Sequence, residues 1–490
     1  MKLSTMLERL EYTLVQGTTD ADIAALVYDS RKVGPGSLFV CMKGTSFDGH
    51  TYVRQAAEAG AAAIVIQEDT DLSFDGAQTL TVIKTTDTRH ALALLSAAWF
   101  GYPAETLRVI GITGTKGKTT TSHMVKAILE HAGHKVGLIG TNGIAIGDQH
   151  TALPNTTPES YVLQESFAKM LDEGCDLAVM EASSQGFKMH RTDGILFEAG
   201  VFTNLEPDHI GPGEHESFEE YLACKAQLFT QCRHGYVNLD DSHADQIVRN
   251  HTCDLETFGF SKEADLRASN ETLTSGDGFL GISFDLTGLV NARMDLDLPG
   301  RFSIYNALSA CAVCSLFGVS AEDMHSALKG IKVKGRIEPI SGPNGSTLII
   351  DYAHNAMSLE SILKTLREYQ PGRLISLFGC GGNRSKLRRY EMGEVSGQLA
   401  DLTIVTSDNP RFEEPEDIIN DIKTGIGKTD GAYVEIIDRR EAIQYAADHA
   451  QAGDIILIAG KGHEDYQEIR GVKYHMDDRE MVLEAIAAAK

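Results

Sequence analysis

The sequence predicts an α/β protein of three domains, on three observations. Short apolar, β-branched runs alternate with helical patterns along the chain, as in mostly parallel sheets covered by helices. One stretch, Leu107 to Thr121 (LRVIGITGTKGKTTT), joins a strand to a helix through a glycine-rich turn. Four strand-like runs after residue 336 each end in a polar or charged loop. At 490 residues the chain has room for about three domains, and the pattern divides it at 1–106, 107–334 and 335–490.

In the first domain, Leu38-Phe39-Val40-Cys41 and Ala63-Ile64-Val65-Ile66 read as strands. Between them YVRQAAEAGA reads as a helix ending at Gly60. Asp29-Ser30-Arg31, Gly34-Pro35-Gly36 and Asp48-Gly49-His50 put polar residues beside glycine turns. Such groups either bind a ligand or cap the turns, and both readings stand.

The second domain opens on Val109–Ile112 as a buried strand, then a turn through Gly114, Thr115, Lys116 and Gly117 into Lys118-Thr119-Thr120. Met124, Val125, Ile128 and Leu129 share one face of the following helix. Amide N–H groups of such a turn and helix start carry partial positive charge suited to a polyphosphate. Lys118 would neutralise the β- and γ-phosphates, and the Thr119 hydroxyl would hold Mg²⁺. The glycine spacing differs from the common P-loop. KVGLIGT is a second strand, and Pro154-Asn155-Thr156-Thr157-Pro158 a polar loop with a helix start at Pro158. Leu177–Met180 is a strand ending in Glu181, and Val201–Leu205 one followed by Asp208-His209. Groups just past strand ends lie where open α/β sheets bind ligands. Glu181 and His209 are therefore candidate Mg²⁺ ligands, weighed against loop-solvated polar residues. Tyr221–Phe229 is an amphipathic helix with Lys225 among apolar neighbours; residue physics alone favours a snorkelling lysine.

From 265 to 300 the pattern is β-like alternation, and RFSIYNALSACAVCSLFG begins a helix with Asn306 near its start. Cys311 and Cys314 lie in that apolar stretch and read as core. The pattern breaks at Lys334-Gly335-Arg336, and the Gly/Pro/Ser cluster ISGPNGST marks the second boundary. Leu348–Asp351 leads into Tyr352-Ala-His354-Asn355, and Leu374–Phe378 into Gly379–Arg384. Leu402–Thr406 leads into Ser407-Asp408-Asn409-Pro410-Arg411, and Ile455–Ala459 into Gly460-Lys461-Gly462-His463-Glu464. In a parallel sheet these four loops share the C-terminal edge.

Composition is ordinary for a globular protein, with 42% hydrophobic and 23% charged residues. No apolar run approaches the ~18 residues of a membrane span, and MKLSTMLERLEY lacks the pattern of a signal peptide. Eight scattered cysteines point to a reducing, cytoplasmic setting. The net charge of −25 argues against nucleic acid as a partner. Yet Lys116, Lys118, Arg384, Lys386, Arg388, Arg389 and Arg411 gather near glycine-rich stretches, which suits an anionic small substrate, unless each is a solvated surface charge.

The motifs GTKGKTT, NTTP, EASS, YLACKAQLF, GRIE, DYAHN, GCGGNR, DNPR and GKGHEDYQ, in this order along nearly the whole chain, resemble the Mur ligases of peptidoglycan synthesis. The resemblance implies a central P-loop-like parallel-sheet ATPase domain and a C-terminal Rossmann-like domain. It implies ATP-dependent amide ligation through an acyl phosphate, with ATP and Mg²⁺, in a cytoplasmic monomer. The branch resembled adds meso-diaminopimelate to UDP-N-acetylmuramoyl-L-alanyl-D-glutamate. On that pattern Ser30 meets the nucleotide-sugar, and Asn155, Thr156, Thr157, Ser183 and Arg191 meet the muramoyl-peptide. Arg389, Asp408, Asn409, Pro410, Arg411, Gly460 and Glu464 would receive the amino acid, while Asn306 and Arg336 join the nucleotide contacts. Lys225 would be carbamylated, turning an ammonium into a carboxylate-like Mg²⁺ ligand, and would be catalytic with Lys118 and His209. Lys116, Gln185, Met189, Asn383 and Ala356-Met357 depart from the family pattern, as does IGPGEHES after Asp208-His209. The rival readings are the same ligation with L-lysine, a folylpolyglutamate synthetase, and a P-loop NTPase switch.

Overall fold

The computed structural model describes all residues except 45, 46, 75–78, 209, 212, 277, 278 and 490. The chain divides into two compact units: Met1–Asp265 with Ser309–Val319, and Leu266–Leu308 with Ser320–Lys490.

The first unit holds two sheets. Strands β1 (Thr13–Gln16), β2 (Ala25–Val27), β3 (Ser37–Val40), β4 (Ala63–Ile66) and β5 (Thr81–Lys84) lie in the order β1-β5-β4-β3-β2. All but β1 run parallel. Leu38, Val65 and Ile83 pack on Leu92 and Leu95 of the helix Thr88–Trp99, which Asp87 caps by accepting from Arg89 N and His90 N. The expected helix before Gly60 is present but short, Val53–Glu58, entered by a 3₁₀ turn at Gly49–Tyr52.

The second sheet of this unit contains β6 (Arg108–Thr113), β7 (Val136–Gly140), β8 (Gly143–Ile146), β9 (Gln149–Thr151), β10 (Leu177–Glu181), β11 (Phe197–Phe202), β12 (Cys232–Asn238) and β13 (Asp254–Gly259). Their order is β13-β12-β11-β6-β10-β7-β8-β9. Strand β6 pairs in parallel with β10 on one side and β11 on the other. The chain therefore leaves β6 at a point where strand order reverses, which opens a crevice beyond its carboxyl end. The glycine-rich turn stands there, and the helix Lys118–His131 buries Met124, Val125, Ile128 and Leu129 as the periodicity requires.

The second unit begins with an antiparallel meander, β14 (Leu266–Gly276), β15 (Phe279–Gly288) and β16 (Ala292–Leu296). Its main sheet has the order β17-β18-β22-β19-β20-β21, from β17 (Glu338–Ser341), β18 (Thr347–Asp351), β19 (Leu374–Phe378), β20 (Leu402–Val405), β21 (Tyr433–Glu435) and β22 (Ile455–Ala459). All but β17 are parallel. Ile349, Leu457 and Phe378 feed one core and Leu348, Ile350, Ile456 and Ile458 the other, so the strands carry apolar residues on both faces. Within the cluster ISGPNGST the chain makes a hairpin turn: β17 and β18 pair across it, and Pro343–Gly345 forms their turn. A short hairpin, β23 (Tyr466–Ile469) and β24 (Val472–His475), follows β22. All eight cysteines are free and buried. No helix among the described residues is long and apolar enough to cross a membrane.

Candidate active site

In the first unit, the turn after β6 is held from below by the segment following β11. Thr115 N donates to Asn204 O and Lys116 N to Asn204 Oδ1, while Thr203 Oγ1 and Asn204 Nδ2 donate back to Lys116 O. Gly114 (φ +145°) admits no side chain, because a Cβ there would lie 1.9 Å from Thr203 Oγ1. Gly117 (φ +86°) ends the turn in the left-handed region and starts the helix. The result is a narrow cradle of backbone amides at a helix N-terminus, which suits phosphate. Lys118 folds back over it, Nζ donating to Gly114 O at 2.8 Å and Thr115 O at 3.0 Å. Lys116 instead pairs with Glu206 at 2.7 Å.

Glu181, at the end of β10, is buried beside the cradle. It accepts from Thr119 Oγ1 (3.0 Å), Thr141 N (2.9 Å) and Thr141 Oγ1 (3.1 Å), and Thr141 in turn contacts Thr156 Oγ1 at 3.0 Å. A carboxylate with threonine hydroxyls around it is a hard oxygen set, which fits Mg²⁺ better than a softer ion. His209 lies outside the described residues.

Lys225 does not snorkel. It is 1% exposed in the helix Phe218–Ala226, with Nζ donating to Gly114 O at 2.7 Å and lying 4.5 Å over the Tyr221 ring. Burial, then the nearby charge of Lys118, pushes its amine well below the usual lysine range. The snorkelling reading fails because the lysine tip is turned onto Gly114 O of the cradle and away from water. Tyr221 reaches Thr115 Oγ1 at 2.9 Å, and His215, from the stretch irregular against the family, is buried with Nε2 2.9 Å from Ser184 Oγ.

The remaining residues expected at the substrate are partly committed to the scaffold. Thr157 Oγ1 donates to Glu181 O and accepts from Ser183 N; Ser183 caps the helix Ser184–Lys188. Arg191 holds Glu159 through Nε (3.0 Å) and Nη2 (2.8 Å) and Thr157 O through Nη1 (2.9 Å). Asn155 is exposed and Thr156 half-buried. Ser30 starts a 3₁₀ turn capped by Asp29, whose carboxylate also takes the Arg31 guanidinium. Capping is thus realised at this motif.

In the second unit the four predicted loops do stand together beyond β18, β19, β20 and β22. Asn409 is their hub. It donates to Glu464 Oε2 (2.9 Å), accepts from Glu468 N (2.8 Å), and its carbonyl accepts from Gly382 N (2.8 Å). Asp408 is buried, and a Cβ on Gly460 would come within 2.9 Å of its Oδ2. Arg411 adopts φ +53°; its Nη1 donates to Gly382 O at 2.9 Å and its Nε faces Glu468 at 3.3 Å. Arg389 is buried against Glu413 and Asp421, and that pairing first, against burial, brings Glu413 down to about 2. Arg336 lies 4.7 Å over the Tyr352 ring, which also packs on His354 and His463. Asn306 is buried in the helix Arg301–Ser315.

Sequence reasoning missed three supports. Thr141, at the end of KVGLIGT, follows the same strand-end rule as Glu181 and was within reach. Arg439 and Asp478 form a fully buried bidentate pair, with Arg439 also donating to Ala459 O, and no local signal marks either. Lys461 is buried, with Nζ on Tyr466 O and near Glu464.

Three family models cover most of the chain: the Mur ligase family catalytic domain at 22–100, the Mur ligase middle domain at 112–314, and the Mur ligase glutamate ligase domain at 335–462. The chain is 41% identical over 492 residues to the UDP-N-acetylmuramoyl-L-alanyl-D-glutamate--2,6-diaminopimelate ligase of Clostridium botulinum, covering 99% of each. A solved structure of an enzyme of that name matches at TM-score 0.72 and 30% identity, over 100% of this chain and 99% of that one. The MurF ligase of Thermotoga maritima in complex with ADP matches in fold, at TM-score 0.60 and 19% identity, over 96% and 98%.

Proposed function

This chain belongs to the Mur ligase family, and we propose that within it the protein is the ATP-dependent ligase that adds meso-diaminopimelate to UDP-N-acetylmuramoyl-L-alanyl-D-glutamate in peptidoglycan precursor synthesis. The observation that carries the reading is identity over the full length with ligases of that name, joined to an intact phosphate cradle with buried Glu181 and Lys225 beside it. A switch NTPase leaves the four-loop cluster of the second unit without a role, and a folylpolyglutamate synthetase leaves the DNPR and GKGHE loops unexplained.

The division of labour follows residues 1–106, 107–334 and 335–490, for the UDP-sugar, ATP and the amino acid. A carboxylate has no good leaving group, so it is first converted to an acyl phosphate, which the amine attacks with loss of phosphate. The cradle amides and Lys118 hold the phosphates and stabilise charge on the transferred group. Thr119 and Glu181, with His209 and a carbamylated Lys225, would hold Mg²⁺, whose charge when bound offsets that of the phosphates. The neutral amine favoured at Lys225 is the form that adds to CO₂. Asn155, Thr156, Thr157, Ser183 and Arg191 shape the muramoyl-peptide end, Arg191 by fixing the loop that carries Asn155. Arg411, Asn409, Asp408, Pro410, Gly460 and Glu464 receive the amino acid, with Arg389 supporting them through Glu413. Ser30 meets the nucleotide-sugar, and Asn306 and Arg336 the nucleotide. The protein acts as a cytoplasmic monomer.

The test is phosphate release from ATP with UDP-N-acetylmuramoyl-L-alanyl-D-glutamate and, in parallel, meso-diaminopimelate, L-lysine or no amine. Release that needs both the nucleotide-sugar and meso-diaminopimelate is expected. Release without the nucleotide-sugar, or equal release with L-lysine, overturns the assignment.

A further inference from the structure

Away from the cradle, in the first unit, two histidines and an aspartate converge from two segments. His90 sits in the first turn of the helix Thr88–Trp99, and His190 and Asp193 lie just after the helix Ser184–Lys188. His90 Nδ1 is 2.6 Å and His190 Nδ1 2.8 Å from the same oxygen, Asp193 Oδ2. The three donor atoms lie within 4.8 Å of one another. The Asp193 side chain is 13% exposed, while His90 and His190 are 41% and 40% exposed. The anchor is therefore shielded and the two rings remain open to an ion from solvent. His190 presents its other nitrogen, Nε2, to Asp87 Oδ2 at 3.9 Å. At 3.9 Å that carboxylate is an electrostatic neighbour and not a hydrogen-bond partner, and it stands on the side where an Nδ1-bound histidine carries its proton.

We propose that His90, His190 and Asp193 form a binding site for a zinc-class dication, joining the helix Thr88–Trp99 to the loop that carries Arg191. Two imidazoles and one carboxylate are a borderline donor set that selects zinc, cobalt or nickel over magnesium or calcium. On binding, each ring coordinates through the Nδ1 lone pair and carries its proton on Nε2, which for His190 faces Asp87. Asp193 Oδ2 gives up two hydrogen bonds and gains the ion. Three protein donors leave a fourth position for water. The ion holds the loop through its residues on either side of Arg191, whose guanidinium grips Glu159 and Thr157. The site itself does not depend on the reading of the substrate.

The experiment is a Zn²⁺ titration of the full chain in millimolar Mg²⁺, which saturates the hard-oxygen site, followed by calorimetry and by competition with a metal indicator. One zinc per chain with micromolar or tighter affinity is expected, with a thermal midpoint that rises with zinc concentration. His90→Ala, His190→Ala and Asp193→Asn, each checked for folding by circular dichroism, should weaken uptake at least about tenfold. In the unaltered protein, Zn²⁺ should protect His90 and His190 from diethyl pyrocarbonate, read by mass spectrometry. No uptake at micromolar zinc, uptake unchanged in His190→Ala, or modification of both histidines at the same rate with and without zinc overturns the site and leaves a histidine–aspartate–histidine hydrogen-bond bridge.

Discussion

Arg411 offers the sharpest test of amino-acid choice. Meso-diaminopimelate differs from L-lysine by a carboxylate at its far end, and a site that selects it needs a fixed cation there. One edge of the Arg411 guanidinium is already held: Nη1 donates to Gly382 O at 2.9 Å and Nε faces Glu468 Oε2 at 3.3 Å. The side chain is 22% exposed, so the charge is held yet open to a ligand. A planar fork can meet both oxygens of a carboxylate, which an ammonium cannot do in one orientation. Arg411→Ala keeps the backbone bond from Arg411 N to Glu468 O and the same left-handed φ, so neither enters the difference. What is lost is the charge-assisted contact, worth 2–5 kcal/mol for desolvated pairs. The partial exposure argues for the low end, about 2 kcal/mol, or roughly a thirtyfold fall in kcat/KM for meso-diaminopimelate. Arg411→Lys should recover only part of this. The assay is steady-state phosphate release against each amine, with KM for ATP and the thermal midpoint as controls. A fall below about threefold in Arg411→Ala, or a native enzyme that uses L-lysine equally well, refutes the reasoning.

Gly114→Ala should weaken ATP binding at least about tenfold, since the new Cβ collides with Thr203 Oγ1 and breaks its bond to Lys116 O, a loss of about 1–3 kcal/mol; nucleotide affinity by calorimetry reads it, and unchanged affinity removes the cradle from its role. Lys225→Ala should be nearly inactive and partly restored by a short carboxylic acid, while depletion of CO₂ should slow the native enzyme; full activity in the variant, or a bare ammonium seen in crystals grown with bicarbonate, counts against carbamylation. Burial first, then Arg336 and Lys334, brings His463 down to about 4. The unfolded chain takes up that proton near 6.5 and the folded one only near 4, so stability falls as pH drops through this window, by up to roughly 3 kcal/mol. His463→Phe should flatten that slope in urea unfolding between these pH values, and an unaltered slope assigns it to another group.

Much of the architecture was legible because the signals were local. Each strand of the second unit's main sheet that ends in a motif loop is rich in apolar residues on both faces, as a sheet buried on both sides demands, with Ser376 and Thr403 as buried polar exceptions. The cradle was readable because strand, glycine turn, lysine and helix are contiguous in sequence. The hairpin within ISGPNGST was not legible because the same turn chemistry serves domain boundaries and hairpins; only the pairing of Glu338–Ser341 with Thr347–Asp351 reveals it. Lys225 misled for a different reason. Apolar neighbours on a helix do not reveal whether the lysine tip reaches water, and here the far contact is Gly114, 111 residues away in sequence.

The basic residues show where composition stops being informative. Seven lysines and arginines near glycine-rich stretches suggested a positive field for an anionic substrate. Lys116 is paired with Glu206, Lys386 and Arg389 with Asp421, Arg389 also with Glu413, and Arg411 faces Glu468. Four of the seven thus have a carboxylate close by, which offsets part of their charge, so counting cations overstates the field a ligand meets. What remains at the cradle is of another kind. Backbone amides at the start of a helix cannot be neutralised by a neighbouring carboxylate without filling the site, and Lys118 is held over the loop by backbone carbonyls, which carry no net charge. Selection for a polyphosphate therefore rests on main-chain geometry that glycines at 114 and 117 permit. In an acidic chain of net charge −25 this is an effective arrangement, since a fixed local dipole survives in an unfavourable overall field that steering by scattered lysines would not overcome.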